Sequence, residues 1–282
     1  MQIGQSIKGK NNIILKGHIG VVFSLCVHKG ELFSGSYDNS IRKWNTKGEC
    51  IGVLQKHTGA VNCICVHNGF LYSGSGDKTI VKWDDSGNSI SVLEGHTSVY
   101  CLISFKGYLF SGSYDKTIIR WNSDGEIDLV IKGHTNGVRC LCILNDQLIS
   151  GSLDKTIKVW DVNGNCKITL KGHTGSVSCL CVWRDTLFSG SDDCIIKWND
   201  SSISQQLKQH TGIIKSLVVF NDHLWSAGVD GIMIEWDWNC NVIRKFNHTS
   251  PFKCLTVFDN MIFSGHKDGL IIGWIGMLFI YI

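Results

Sequence analysis

Proline is almost absent from this sequence: Pro251 is the single one among 282 residues, whereas glycine occurs 31 times. The turns must therefore be made mainly by Gly, Asn and Asp. Charged residues are also scarce, at 18%, and the net charge is only +3. Composition thus gives no indication of nucleic-acid binding or of binding to a membrane surface. Apolar residues make up 43% of the chain, which is enough for a large core and excludes general disorder.

Long hydrophobic runs are lacking as well. The longest, Leu270 to Ile282, has 13 residues, fewer than the roughly 20 that cross a bilayer. The first twelve residues are polar and lack the apolar stretch of a secretory signal. The 13 cysteines are an odd number, which argues against a disulfide scaffold and for a reducing compartment. We therefore expect a cytoplasmic location, with the nucleus as the alternative.

The sequence contains a pattern that repeats seven times. Four residue types recur in each unit in the same order: a histidine, a glycine after Ser or Ala, an aspartate shortly after it, and a tryptophan. Successive histidines are 37 to 39 residues apart. The repeat histidines are His18, His57, His96, His134, His173, His210 and His248. A period of this length indicates a repeat architecture in which every unit has the same fold.

Each unit is predicted to form four short antiparallel strands. In the fourth, Val138–Ile143 is nearly all apolar, as expected for a strand covered on both faces. Asn145 and Asp146 predict a tight hairpin turn, because both residue types tolerate positive φ. A second strand begins after this turn at Gln147–Ser150, and two further strands follow, at Thr156–Trp160 and Lys167–Leu170. Four strands in about 38 residues are typical of one blade of a β-propeller.

The repeats resemble those of WD40 proteins. The Trp-Asp pair that names the family occurs at 83–84, 160–161 and 236–237, and Trp-Asn replaces it in three other units. The run Leu-Phe-Ser-Gly-Ser-Tyr-Asp at 109–115 is similar to WD domains of ubiquitin-ligase subunits and alpha-type kinases. The resemblance implies an all-β, seven-bladed propeller that occupies residues 1–282 as one domain. It also implies that 12–16 supplies the outer strand of the last blade and closes the ring.

Catalysis is not indicated. Each unit holds a His, a Ser and an Asp, the residue types of a hydrolase triad, but an enzyme needs one site rather than seven. The resemblance implies instead a structural relay, formed in the fourth unit by His134, Ser150, Asp154 and Trp160. Glycine loops for phosphate, HExxH and GxSxG motifs are lacking. We expect neither an enzyme nor a cofactor.

The cysteines are predicted to be mostly packing residues. Nine of the 13 fall in two columns of the innermost strand, where small, weakly polar side chains fit. The Cys-x-Cys pairs at 63/65, 140/142 and 179/181 lie in separate units, whereas zinc needs ligands that converge on one point. We therefore expect no metal site. Cys50, Cys166, Cys194 and Cys240 lie near predicted turns and are expected to be the accessible thiols.

A partner is expected at the channel entrance, the face that WD40 propellers commonly use for peptides. Two positions of each unit would line it: the second residue of the inner strand and the residue before the aspartate. Aromatic residues occupy them in units one and three, and cations in units four, six and seven. These candidate partner-binding residues are Phe23, Tyr37, Tyr100, Tyr114, Arg139, Lys215, Lys253 and Lys267. Aromatic residues and Arg dominate binding hot spots, and clustered cations favour acidic or phosphorylated groups.

The sequence thus predicts a scaffold or substrate-recognition module that binds an acidic or phosphorylated peptide. The lysines could instead merely solvate this face. The alternative function is that of a structural subunit that uses its outer rim within a fixed complex. We expect a protein or peptide partner, no nucleic acid, no membrane, and a monomer within a larger complex. The apolar tail Gly276 to Ile282 is left open: it could compete for the edge of the last blade or bind a partner.

Overall fold

The chain forms a ring of seven four-stranded antiparallel sheets. The computed structural model describes residues 12–275, and the apolar tail considered above lies outside them. Twenty-eight strands and no helix occur in the described part. Consistently, residues 12–275 contain no helix that could span a membrane. The prediction of an all-β, seven-bladed propeller is confirmed.

The strand bounds follow the repeat. Blade one contains β2 (Val22–His28), β3 (Glu31–Ser36), β4 (Ser40–Trp44) and β5 (Cys50–Gln55). Blade two contains β6 (Val61–His67), β7 (Phe70–Ser75), β8 (Thr79–Trp83) and β9 (Ser89–Glu94). Blade three contains β10 (Val99–Phe105), β11 (Tyr108–Ser113), β12 (Ile118–Trp121) and β13 (Ile127–Ile131). Blade four contains β14 (Val138–Leu144), β15 (Gln147–Ser152), β16 (Thr156–Trp160) and β17 (Cys166–Lys171).

The remaining blades continue in the same way. Blade five contains β18 (Val177–Trp183), β19 (Thr186–Ser191), β20 (Ile195–Asn199) and β21 (Ser202–Leu207). Blade six contains β22 (Ile214–Phe220), β23 (His223–Gly228), β24 (Ile232–Trp236) and β25 (Val242–Asn247). Blade seven contains β26 (Phe252–Phe258), β27 (Met261–His266), β28 (Ile271–Trp274) and, as its outer strand, β1 (Ile13–Leu15).

The N-terminal strand closes the ring. β1 pairs antiparallel with β28, so that Ile14 lies opposite Ile272. Leu15 is 1% exposed and packs between the first and last blades, in a core cluster that includes Trp44 and Phe258. The prediction that 12–16 supplies this strand agrees with the pairing. The pairing covers the outer side of β28, and unpaired strand edges are prone to unwanted pairing.

The first hairpin of every blade turns on two residues with positive φ. In blade four these are Asn145 (φ 48°) and Asp146 (φ 61°), the conformation of a type I′ turn. Asn and Asp tolerate this region, which explains how the chain turns so often with one proline.

Packing between blades occurs through a column of glycines on the second strand of each sheet. A Cβ placed on Gly151 would lie 2.6 Å from Cys140 Sγ and 2.6 Å from Val177 Cγ1 of the next blade. The cysteine column predicted from the sequence lies opposite this glycine column, as in the pair Cys140↔Gly151. Cysteine is thus the packing partner of a residue that has no side chain.

Blade six departs from this pattern. The repeat pattern assigns Gly228, which follows Ala227, to the glycine column of this blade, and this assignment was wrong by one residue. The sheet register places Ala227, not Gly228, in the glycine column, opposite Ser216. The Ser216 hydroxyl accepts a hydrogen bond from Leu255 N of the next blade, at 3.0 Å. The serine is not the whole reason that alanine fits here, because Ser24 lies opposite Gly35 in blade one. The inner strand next to blade six also begins with Phe252, where the other inner strands begin with valine or isoleucine. The alanine methyl group fits in these altered surroundings.

We expect Gly151→Ala to destabilise the protein by about 1–3 kcal/mol, because overpacking a close-packed core forces its neighbours to move. Adding Cys140→Ser should recover part of this loss, since the Ser–Ala pair is the combination found in blade six. Urea unfolding of both variants would measure the free energies. Gly52→Ala is the matched control, because the nearest atom to its new Cβ would be 3.6 Å away. Equal losses for Gly151→Ala and Gly52→Ala would contradict the steric explanation.

Candidate functional site

Both predicted columns lie at one end of the central channel, which we call the entrance. Residues of the first column directly follow the buried first residue of each inner strand, as Tyr100 follows Val99. In every blade the register shifts here: the pairing passes from Val99 to Cys101 and leaves Tyr100 unpaired. Such a bulge re-aims a side chain. The sequence did not predict it.

The second column lies beside the first because the loops are joined by backbone hydrogen bonds. Tyr37 N donates to Val21 O at 2.8 Å, and Tyr114 N donates to Ser98 O at 3.0 Å. The aromatic residues of the two columns therefore meet in pairs. The ring centroids of Phe23 and Tyr37 are 6.4 Å apart, and those of Tyr100 and Tyr114 are 6.1 Å apart. Both pairs are edge-to-face, the geometry that aromatic quadrupoles favour.

The outer member of each aromatic pair faces solvent. Tyr37 is 64% exposed and Tyr114 is 56% exposed. Sequence reasoning missed a third exposed apolar residue at this rim. Ile19 is 93% exposed and follows His18, where each of the other six units has threonine. An isoleucine at a position where the other units all have threonine was the sequence signal that could have identified this residue.

The four predicted cations influence one another across the channel. The Arg139 guanidinium lies 4.4 Å from the centre of the Tyr100 ring, a cation–π contact with the neighbouring blade. Burial, together with the positive charges of Arg139 and Lys253, lowers the pKa of Lys215 to about 8. Burial, Lys267 and Arg139 likewise lower the pKa of Lys253. The cationic side chains of blades four, six and seven thus act on one another at the entrance.

One acid moderates this charge. Asp192 occupies the second column in blade five, is exposed, and favours the charged form of Lys215. The entrance therefore has an aromatic side formed by blades one and three and a basic side formed by blades four, six and seven, with Asp192 between blades four and six.

The relay residues form a chain of hydrogen bonds in blade four. Trp160 Nε1 donates to Ser150 Oγ at 2.8 Å, and Ser150 Oγ lies 2.7 Å from His134 Nε2. His134 Nδ1 lies 2.7 Å from Asp154 Oδ2. Because an ionised carboxylate only accepts, His134 donates from Nδ1 and accepts the serine proton at Nε2. Asp154 also accepts from Thr135 N at 2.9 Å, which fixes the entrance loop.

The same relay occurs in blades one to six, with His–Asp distances of 2.7 to 2.9 Å. Burial lowers the pKa of His18 and His57, which keeps these rings neutral as the relay requires. Six repeated copies inside the blades hold the entrance loops in place.

The sequence prediction gave the relay to the repeat histidine of every unit. In blade seven this prediction was wrong. His248 Nδ1 instead contacts Ser250, at 3.1 Å from its N and 3.2 Å from its O. His266 takes the place of the relay histidine, with Nε2 2.7 Å from Ser264 Oγ. Burial and the neighbouring His248 lower the pKa of His266 to about 4. A histidine two residues after the relay serine reaches its hydroxyl from the same strand.

The cysteines follow the prediction only in part. Cys50 and Cys166 are exposed, as expected, but Cys194 and Cys240 are buried, so their predicted accessibility was wrong. Cys194 packs with Ile196 in the core between blades four and five. Cys240 has φ 64° and occupies a turn position that glycine fills in other blades, where a Cβ points at the preceding blade. Burial raises the pKa of Cys140 and Cys254 and leaves these thiols protonated.

Comparisons with known proteins agree with this architecture. A family model described as "WD domain, G-beta repeat" matches residues 9–45, 48–84, 87–122, 125–161 and 164–199. A crystal structure of the WD40 β-propeller domain of Doa1 is similar, with a TM-score of 0.83 and 24% sequence identity over 94% of this chain and 96% of that chain. At this identity the likeness concerns the fold alone. A search of curated proteins gave no match.

Proposed function

Because the chain belongs to the WD40-repeat family, whose propellers are generally non-catalytic protein-interaction modules, we propose that its entrance binds an acidic or phosphorylated peptide. The observation that carries this proposal is that cations of three blades act on one another: beyond the effect of burial, Arg139 and Lys253 both lower the pKa of Lys215, and Arg139 also lowers that of Lys253. Like charges that repel one another in the free protein are stabilised by an anion. In this proposal the protein is a scaffold or substrate-recognition subunit and not an enzyme.

The aromatic side complements the basic side. Tyr37 and Tyr114 are each more than half exposed, and tyrosine side chains can bury a large area with little loss of side-chain entropy. A peptide across the entrance would place its acidic group against the cations and an apolar residue against Ile19 and Tyr37. Arg139 joins the two sides, since it stacks on Tyr100 and acts on Lys215.

A charge reversal of the basic side tests the proposal. We expect the triple variant Arg139→Glu, Lys215→Glu and Lys253→Glu to lose more than about thirtyfold in affinity, because breaking a buried charge pair costs about 2–5 kcal/mol. The probe is an array of degenerate peptides with a fixed central phosphoserine, phosphothreonine, glutamate or serine. Fluorescence anisotropy would then give the Kd of the best peptides.

The matched control reverses three lysines at the opposite end of the channel, Lys29, Lys47 and Lys106, which lie in the turns β2–β3, β4–β5 and β10–β11. It changes the net charge equally and should leave binding unaltered. Circular dichroism and thermal unfolding would establish that both variants are folded. Unchanged capture by the folded entrance variant would overturn the proposal.

A second candidate function is that of a structural subunit that binds through its rim. Exposed β-branched residues on the outer strands favour it, namely Ile51, Val53, Ile90, Val92, Ile127, Val130, Ile168, Ile203, Val242 and Ile243. Affinity purification with crosslinking separates the two candidates. Crosslinks at the entrance lysines support peptide recognition, and crosslinks confined to the outer strands support assembly.

The setting of this function is also proposed. The net charge of +3 favours a protein or peptide partner over nucleic acid or a membrane. The 13 cysteines, all of them free, suit a reducing compartment, the cytoplasm or the nucleus. We propose a monomer that acts within a larger complex and needs no cofactor for binding.

A further inference from the structure

Blade five differs from the other blades at the turn that follows its relay aspartate. In blade four, Lys155 and Thr156 separate Asp154 from Ile157, whereas in blade five Cys194 alone separates Asp193 from Ile195. Blades one to four place a hydroxyl beside the relay pair at this point. In blade four, Thr156 Oγ1 lies 2.6 Å from Asp154 Oδ1 and 3.4 Å from His134 Nδ1. In blade five the shortened turn brings a sulfur to the pair instead.

The shortened turn gathers a nitrogen, an oxygen and a sulfur donor. His173 Nδ1, an Asp193 carboxylate oxygen and Cys194 Sγ all lie within 4.8 Å of one another. In tetrahedral zinc sites the bonds are about 2.0–2.3 Å long, so the donor atoms lie on the order of 3.3–3.7 Å apart. Shifts of about 1 Å would bring the three atoms to that spacing. In the part of the chain that the structure describes, no other group of three such donors is this close.

The surroundings already orient these donors. His173 Nε2 lies 2.6 Å from Ser189 Oγ, and Asp193 Oδ2 accepts hydrogen bonds from Thr174 N at 2.6 Å and Thr174 Oγ1 at 2.9 Å. Asp193 Oδ1 lies 2.7 Å from His173 Nδ1 and also accepts a hydrogen bond from Cys194 N at 2.8 Å. A hydrogen-bonded second nitrogen and a hydrogen-bonded second carboxylate oxygen are the supporting contacts of metal ligands.

We propose that His173, Asp193 and Cys194 bind a thiophilic divalent metal ion such as Zn²⁺, with water as the fourth ligand. The proton of His173 Nδ1 moves to Nε2, which then donates to Ser189 Oγ, and the Cys194 thiol releases one proton to solvent. The two positive charges of the ion balance the carboxylate and the thiolate, so the site is neutral. This proposal departs from the expectation of no metal site, which was argued from the Cys-x-Cys pairs and did not consider these three residues.

The relay tolerates this exchange of protons. Ser189 Oγ, which accepts from Trp198 Nε1 at 2.8 Å, has a second lone pair for His173. Its own proton then needs an acceptor. The equivalent serines indicate one: Ser111 Oγ lies 3.5 Å from Ile119 O, and Ser264 Oγ lies 3.4 Å from Ile272 O of the paired strand.

The ion has a route to the site. The Asp193 side chain is 20% exposed, and the exposed Asp192 adjoins it and acts on His173. Two carboxylates at the surface attract a cation before the thiol loses its proton. The bound ion would fix the turn between β19 and β20, which carries Asp192 at the entrance.

Titration with Co²⁺ under reducing conditions tests this site, because a thiolate bound to Co²⁺ gives a charge-transfer band in the near ultraviolet. We expect one Co²⁺ per chain, displaced by Zn²⁺, and a loss of affinity of at least tenfold in Cys194→Ser, since even weaker perturbations of a metal site cost about 10–100-fold. Cys240→Ser, a change at another buried cysteine, should retain the band. Cys194→Thr, which restores the hydroxyl type of blades two to four, is the second variant should the serine variant not fold.

Zn²⁺ should also raise the Tm of the parent protein and not that of Cys194→Ser. A parent protein without a thiolate band would overturn the proposal, and so would a band that persists in the folded Cys194 variants. The readout contains no peptide, so its failure would leave the proposed function of the entrance untouched.

Discussion

Replacing Leu15 by alanine should lower the free energy of unfolding by about 2–5 kcal/mol, the cost of truncating a fully buried leucine. Leu15 is 1% exposed and packs with Trp44, Phe258 and Ile271 between the first and last blades. β1 has only three residues paired with β28, so this side chain provides much of what holds the ring closed. Urea unfolding followed by tryptophan fluorescence would measure the loss.

The neighbouring residue provides the control. Ile14 lies in the same strand and has the same kind of backbone pairing, but it is 51% exposed. Ile14→Ala should therefore change stability by no more than about 0.5 kcal/mol. Similar losses for the two variants would contradict the special role of the buried Leu15 side chain. No loss from Leu15→Ala would show that closure does not limit stability.

The blades could be predicted because the residues that determine each strand and turn lie close together in the sequence. The turn residues Asn145 and Asp146 predict their own backbone conformation, and the apolar run at β14 predicts its own burial. The pairing of β1 with β28 joins opposite ends of the chain and has no local signal. It was predicted only because the family resemblance supplied it.

What could not be predicted depends on distances between blades. Sequence columns placed Arg139, Lys215 and Lys253 on the same face, but their mutual repulsion depends on the width of the channel. Position near a turn suggested an accessible Cys194, whereas the shortened turn directs its side chain into the core. The one-residue deletion in this turn changes the direction of the Cys194 side chain. A sequence column records only which residue occupies a position, so it does not show that change.

The exchange of histidines in blade seven could not be predicted from the sequence either, because it also depends on distances in the folded protein. His248 fits the repeat in spacing, and His266 does not, yet His266 contacts the relay serine. His266 is paired directly opposite the first residue of β26, Phe252, and its imidazole lies 4.4 Å from that of His248. A second histidine within reach can replace the first, and only the three-dimensional arrangement shows which one does.

Ser150→Ala is expected to destabilise the protein by about 2–6 kcal/mol, because it leaves two buried polar groups without partners at about 1–3 kcal/mol each. These groups are Trp160 Nε1, which now donates to Ser150 Oγ at 2.8 Å, and His134 Nε2, which lies 2.7 Å from it. Ser150 has no exposed surface, so water cannot take its place without a rearrangement. Ser123→Ala, at an exposed turn, should change stability by no more than about 0.5 kcal/mol.

A double-mutant cycle with Trp160→Phe tests the physical reason. Phenylalanine lacks the indole N–H, so in its background Ser150→Ala leaves only His134 without a partner and should cost about 1–3 kcal/mol less. Thr135 N binds the same relay through Asp154, so hydrogen exchange at the entrance loop should increase in Ser150→Ala. Strict additivity of the two substitutions would contradict the relay. The Trp160–Ser150 hydrogen bond would then add nothing to the stability of blade four, and the entrance loop would depend on the contacts of Asp154 with Thr135 N and His134.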